Sequence, residues 1–261
     1  MDYANRKIKV GTKTLDDAIL KLGDYSKIRY PGQNRIITKP DVLRALAERD
    51  LNALRYISNF YYDISGVYQR VCNYVAFLYR YDWYIAAETY DDNVKEEKVL
   101  KDFYKMLNYF DNSYIKKICG DIALQVVKNG CYYGYIVPSE KNLILQELPV
   151  RYCRTRYSVN NTPVVEFDMR FFDTFRDMNY RLKVLKLFPE EFAKGYVLYK
   201  QGKLALEEAV GCQHIGSWYV LEPENCVKFN INNSDIPIFV NSIPTIMDLD
   251  AAQDLDRKKQ M

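Results

Sequence analysis

Residue 131 divides the chain by hydrophobic period. Before it, apolar residues recur at helical spacing; after it they alternate. A period of 3.6 buries one stripe of a helix and a period of 2 buries one face of a strand. The chain is therefore expected to be α+β, with helices followed by an antiparallel sheet region that carries short helices. Its 261 residues, 48% hydrophobic and 27% charged, are enough for one or two cores.

The helical part opens at Pro40-Asp41, with Val42, Leu43 and Leu46 at helical spacing. Asp50 can cap a second helix whose face is Leu51, Leu54, Ile57, Ser58 and Tyr61. Ser65-Gly66 interrupts the pattern, and Val67, Val71, Tyr74, Val75 and Leu78 resume it as an apolar face. Residues 81–85 then alternate as a strand would. Two more helices are expected within 91–130. The first starts near Asp91-Asp92, with Val99, Phe103, Met106, Leu107 and Phe110 on one face. The second is capped by Asn112-Ser113, carries Ile115, Ile118, Ile122, Leu124, Val126 and Val127, and stops at Asn129-Gly130.

The alternating part begins with Cys131–Val137 and Asn142–Leu148, joined by a turn at Pro138. A second hairpin pairs Tyr152–Ser158 with Pro163–Asp168 around Asn160-Asn161, where asparagine tolerates the left-handed conformation. Phe171, Phe172, Phe175 and the Phe188–Phe192 run suggest short helices. Tyr196–Tyr199, Trp218–Leu221 and Val227–Asn230 read as strands. The stretch from Thr245 favours a helix, with Asp early, Lys and Arg late, and Asp254 and Lys258 as an i, i+4 pair. It runs to Met261 without a capping signal, as the start of a longer helix would.

Residues 1–40 hold nine Lys or Arg against four Asp or Glu, a net +5, and end in turn chemistry. They read as an extended arm that wraps a neighbour, meets nucleic acid or simply frays. Residues 41–245 form the α+β body and 246–261 the start of the final helix. Over the whole chain the net charge is only +3, which gives no strong bulk field.

Catalytic signals are sparse. The sequence contains no phosphate-binding Gly-x-x-x-x-Gly-Lys loop, no Gly-x-Ser-x-Gly and no zinc-ligand spacing. Gly130 and Gly134 suit tight packing rather than a dinucleotide loop. Asp91-Asp92 and Glu96-Glu97 are explained by the preference of acidic residues for a helix N-terminus, so neither metal nor cofactor is expected. Cys212 and His214 sit two apart, which on a strand places them on one face. They could form a catalytic pair, although no third orienting group is evident and a plain loop histidine explains them as well. The six cysteines lack Cys-x-x-Cys pairing and read as buried free thiols, Cys72 and Cys119 among them. Neither a signal peptide nor an apolar run of membrane-spanning length is present, so no membrane partner is expected and the site of synthesis is the cytoplasm.

Tyrosine is the compositional outlier, 24 residues with 12 Phe, 2 Trp and 1 His. A ring with a polar tip suits faces pressed against a partner, though an aromatic-rich core also uses it. Tyr61, Tyr62, Tyr68, Tyr74 and Trp83 are the candidates for packing or interface roles. Arg151, Arg154 and Arg156 are expected to alternate along one strand. Arg154 and Arg156 on one face could meet phosphates or a neighbouring subunit's carboxylates, or simply form a solvated sheet face.

Leu54 to Tyr84, with Tyr68, Tyr74 and the Tyr-Asp-Trp-Tyr that ends it, resembles the N-terminal region of tailed-phage portal proteins of the Clostridium-phage and crAss-like type. Gly130–Val137, Leu145–Arg154, Pro163–Asp168, Trp218–Asn225, Lys228–Asn230 and Ile243 to Lys259 are similar to further family segments, in order. The resemblance covers residues 40–261 and none of its motifs is catalytic. It implies a structural, non-enzymatic subunit of a ring of about twelve copies, closed by head-to-tail contacts. That ring sits at one vertex of the virion capsid, after assembly in the host cytoplasm. It passes double-stranded DNA without sequence preference during packaging and ejection, and meets the major capsid protein, terminase and head-tail adaptor proteins. The chain would supply the wing and the start of the stem helix, without the clip and crown. Another virion structural or adaptor protein, or an enzyme built on Cys212 and His214, is the alternative.

Overall fold

A computed structural model describes residues 37–78, 86, 96–137, 139, 142–159, 162–204, 207–209, 212–214 and 216–259. At residues 96, 207–209, 212–214 and 254–259 only the backbone path is described. The expectations for residues 1–36, for Tyr81–Ile85 with Trp83, for Asp91-Asp92 and for Asn160-Asn161 lie outside the described residues.

In chain order the elements are α1 (Lys39–Glu48), α2 (Leu51–Ile64), α3 (Gly66–Phe77), α4 (Glu96–Asn112), α5 (Ile115–Asn129), β1 (Cys131–Val137), β2 (Ile144–Leu148), β3 (Cys153–Val159), β4 (Thr162–Asp168), α6 (Arg170–Asp173), α7 (Met178–Leu187), α8 (Glu190–Lys200), β5 (Glu207–Ala209), β6 (Cys212–His214), β7 (Trp218–Val220), β8 (Cys226–Asn230) and α9 (Ile243–Lys259). The class is α+β and the described chain ends in a helix. Strands are ordered β2-β1-β8 in one sheet and β3-β4-β7 in a second, with β5 and β6 as a separate pair. The β3–β4, β4–β7 and β5–β6 pairings are antiparallel.

Among the described residues the chain divides into two compact units. One holds 37–132, 138–145 and 229–259; the other holds 133–137 and 146–228.

The first unit is built on α1, α2, α3, α5 and α9. Asp50 starts α2 by accepting hydrogen bonds from the Asn52 and Ala53 N–H groups. Its inner face is Leu54, Ile57, Ser58 and Tyr61, all buried as the spacing predicts. Ser65 ends α2 and begins α3, and its hydroxyl accepts from the Tyr68 N–H. Val42, Ala45, Tyr68, Cys72, Ala76, Val127, Val240 and Ile243 complete this core. Helix α5 stops at Gly130, whose φ of +80° suits glycine. Its Cα lies so close to the chain that an added Cβ would stand 2.2 Å from the Asp235 carbonyl oxygen.

The second unit has a different core chemistry. Phe167 on β4 meets Phe171 edge to face at 5.6 Å and Phe192 at 5.1 Å, and Phe172 meets Phe188 at 5.2 Å. Register explains the placement: Cys153, Phe167 and Tyr219 are cross-strand partners on the inner sheet face, while Arg154, Glu166 and Val220 form the next row, on the outer one.

Four expectations need correction. Tyr196–Tyr199 is not a strand but lies in helix α8. The aromatic and β-branched residues look strand-like, yet Phe192 and Tyr196 at i, i+4 both bury on the aromatic core, and Pro189, Glu190 and Glu191 start a helix. The cap of α5 is not Asn112-Ser113. Asn112 ends α4, Tyr114 precedes α5 at φ +51°, and the Ser113 hydroxyl donates to the Tyr109 carbonyl while accepting the Leu143 N–H. Arg151 sits in a short 3-10 turn, not on strand β3. Cys119 is exposed, unlike the buried Cys72, Cys131, Cys153 and Cys226. The short helices expected within the sheet region are α6, α7 and α8, between β4 and β7.

Candidate functional site

The tyrosines proposed for packing or interface separate by position. Tyr68 is fully buried, and its hydroxyl shares a 2.9 Å hydrogen bond with the buried Ser58 hydroxyl. Burial drives its pKa well above the ordinary tyrosine value. Tyr61 is buried in the same core, and burial raises its pKa too. Tyr62 is half-buried: its hydroxyl donates to Asn73 Oδ1 at 2.8 Å, and Lys128 Nζ lies 4.1 Å from its ring centre. Tyr74 is different, with 69% of its surface exposed.

Tyr74 belongs to a row. Val67, Val71, Tyr74 and Leu78 lie 4, 3 and 4 residues apart along α3 and its last turn, with exposures of 64%, 40%, 69% and 48%. The expectation that this row is the packed face is thus corrected. Helix α3 instead buries Tyr68, Cys72 and Ala76, with Val75 half-buried beside them. The reason lies on neighbouring helices: Ser58 on α2 gives the Tyr68 hydroxyl an internal partner. On the α5 side, the Phe77 ring lies so close to Gly120 that an added Cβ would stand only 3.0 Å from it. What remains is a straight apolar seam facing solvent on a helix whose other side is already packed.

A second incomplete face lies on α4. None of its side chains from Glu97 to Asn112 is buried, and none joins the core of the unit. Val99, Phe103, Leu107 and Phe110 are half-buried; Leu100, Tyr104 and Met106 are exposed. Sequence reading found this helix and its apolar residues. It assigned them no partner and did not single out Leu100 or Tyr104.

The structure does bring Arg154 and Arg156 to one face, as their spacing predicts. Arg154 donates through Nε to Glu166 Oε2 at 2.6 Å, and Arg156 Nε forms an ion pair with the same oxygen at 3.1 Å. The Arg154 guanidinium also stacks 3.8 Å from the Trp218 ring centre. Trp218 is the cross-strand partner of Asp168, whose carboxylate takes two guanidinium donors from Arg170. Glu166 and Asp168 are buried beneath these arginines. The carboxylate partner is thus within the chain, on the neighbouring strand.

Cys212 and His214 occupy strand β6 at i, i+2, and the register sets His214 opposite Glu207 and Cys212 opposite Ala209. The register thus sets the two positions across from each other, a relation invisible in linear order. Elsewhere, burial pushes the Cys72 thiol up to about 11. Burial first, then Glu191 and Glu222, push Cys226 up to about 12. Thiols held that high are poor nucleophiles at neutral pH.

Among the described residues, no group of three His, Cys, Asp or Glu side chains is arranged to hold a metal ion. No described helix is long and apolar enough to cross a membrane. The chain matches no family model, no curated protein and no solved structure.

Proposed function

We propose that this chain is a structural subunit that assembles with copies of itself, and that the assembly is a portal-type ring at a capsid vertex. The observation that carries the first part is the exposed seam Val67, Val71, Tyr74 and Leu78 on α3. Its apolar side chains stand together on one helix face, as an interface centre requires, with tyrosine as the polar-tipped anchor. The sequence resemblance supplies the second part. In that reading the chain is the wing and the first turns of the stem in a ring of about twelve copies. The ring would pass double-stranded DNA, serve packaging by terminase, sit in the major capsid protein shell, and hold the adaptor proteins of the tail. Its place would be the virion, its role non-enzymatic.

Mass photometry with negative-stain imaging tests this, on the chain alone and joined to the longer sequence the reading implies. Closed rings of about twelve copies are expected in the longer form. Monomers or dimers in both forms would overturn the portal reading and favour a virion adaptor. A second reading rests on the β5–β6 register, which aligns Glu207 with His214 two residues from Cys212. That reading requires a hydrolytic or transfer activity abolished by Cys212→Ala, sought with a panel of ester and thioester substrates.

A further inference from the structure

The α3 seam is exposed among the described residues, and the N-terminal arm, residues 1–36, lies outside them. One stretch of that arm carries the sequence pattern of a docking helix. Thr14-Leu-Asp-Asp17 is a capping box, and Gly23 is a stop. Between them Leu15, Ala18, Ile19 and Leu22 recur at i, i+3, i+4 and i+7. The pattern specifies an amphipathic helix over residues 15–22. A helix of two turns is not stable alone in water and takes its stability from an apolar surface. The same four-residue row is how an amphipathic helix anchors itself on another protein.

We propose that residues 15–22 of one copy dock on the α3 seam of the next, so that the copies join head to tail through their N-terminal arms. This deepens the self-assembly reading above and rests on it. Spacing matches: Leu15, Ile19 and Leu22 step by 4 and 3, as Val67, Val71 and Tyr74 do. Equal steps let two helices keep their apolar rows in contact. Charge matches as well. Arg70 is exposed at the edge of the seam, one turn from both Val67 and Tyr74, and Asp16 flanks the apolar row of the arm segment. Opposite charges are thus available for the rim of the contact. Reach is sufficient, because residues 24–36 span up to about 45 Å when extended. The place where the arm ends also bears on the contact. Ile37 packs on the core of the first unit, and Lys39 Nζ holds both carboxylate oxygens of Asp248 at 2.8 and 2.7 Å. The arm is therefore rooted beside α1 and α9. Helix α3 packs on α2 and α5, and its seam faces away from that packed side. Arm and seam are two different patches, so their contact in successive copies is head to tail, and repetition closes a ring or extends a filament.

Cross-linking between marked copies tests the pairing. In a Cys119→Ser, Cys212→Ser background, one preparation carries Ala18→Cys and a second carries Val71→Cys. Each change keeps a small side chain on its apolar row, and Val71 is 40% exposed, so the core is left intact. A short bis-maleimide is added to each preparation and to their mixture, with circular dichroism confirming the fold. The mixture is expected to give a covalent dimer at least tenfold more abundant than either preparation alone. Adding Leu15→Asp and Leu22→Asp to the first preparation is expected to cut that yield at least fivefold. An unchanged yield would overturn the proposal, because the arm would then pass near the seam without docking on it. Equally abundant dimers from Val71→Cys alone would overturn it in favour of a two-fold α3 contact. In a chain carrying both marks, efficient cross-linking within one molecule at nanomolar dilution would overturn it too, by showing the arm folded on its own α3. Absence of any cross-link in folded protein also overturns it. Mass photometry of the longer form judges the portal reading separately. Rings without this cross-link leave that reading standing and sink the arm contact; the cross-link without closed rings supports the arm contact and sinks the portal reading.

Discussion

At the scale of single residues, the strongest constraints are geometric. Gly130 combines a positive φ with an approach to Asp235 that leaves no room for a Cβ. Gly130→Ala therefore carries both left-handed strain and a backbone collision. It is expected to destabilise the protein by at least ~2 kcal/mol, read as a fall in the urea midpoint at unchanged slope. A charged site gives a pH-dependent counterpart. Burial alone would raise the Asp173 pKa, but hydrogen bonds from Lys200 and Tyr196 and the Lys200 charge outweigh it, so the carboxyl sits below its ordinary value. The Lys200 Nζ is 2.7 Å away, and the Tyr196 hydroxyl donates at 2.8 Å. A depressed carboxyl pKa adds stability above the unfolded value, near pH 4, and that stability fades as pH falls through the folded value. Asp173→Asn should thus lower the melting midpoint at pH 7 and lose less than the parent protein between about pH 5 and pH 3. An equal loss in both would show that the pair contributes nothing to acid sensitivity.

At the scale of elements, helix α3 separates packing from presentation, and its two faces predict opposite outcomes for the same substitution. Tyr68→Phe leaves the buried Ser58 hydroxyl without its partner and is expected to cost about 1–2 kcal/mol. Tyr74→Phe, on the exposed face, should change stability by less than ~0.5 kcal/mol. Thermal denaturation of the two variants under dilute conditions measures both. The same helix shows where the sequence is legible and where it is not. Helical spacing, the Asp50 cap, the Ser65-Gly66 break and the Gly130 stop were all readable, because each acts on its own neighbours in the chain. So were the β1–β2 and β3–β4 strands, whose alternation is local. Which face of α3 turns inward was not readable, since Val67, Val71 and Tyr74 are as apolar as the residues that do bury. Ser58 and Gly120 decide that choice from other helices. Helix α8 misled for a related reason: Tyr-Val-Leu-Tyr favours a strand in isolation, and the aromatic core that holds Phe192 and Tyr196 overrides it. The pairing of Arg154 and Arg156 with Glu166, and of His214 with Glu207, depends on register, which spacing within one strand does not contain.

At the scale of the whole molecule, composition and surface point the same way. A net charge of +3 over 261 residues puts little self-repulsion between copies, so apolar contacts can decide association. Association of folded copies stabilises them by mass action, because the unfolded chain lacks the paired faces. Raising the protein concentration about a hundredfold above the dissociation constant adds roughly 2–3 kcal/mol, which for a chain of this size moves the melting midpoint by roughly 4–12 °C. The parent protein is expected to show that upward shift across a concentration series. Tyr74→Glu should abolish it while leaving the dilute-limit midpoint nearly unchanged, because the glutamate is solvated in the free chain and desolvated only when the seam is covered. A shift that persists in Tyr74→Glu would place the contact on another surface. A flat series in both proteins would mean that α3 presents its apolar row to something other than a second copy.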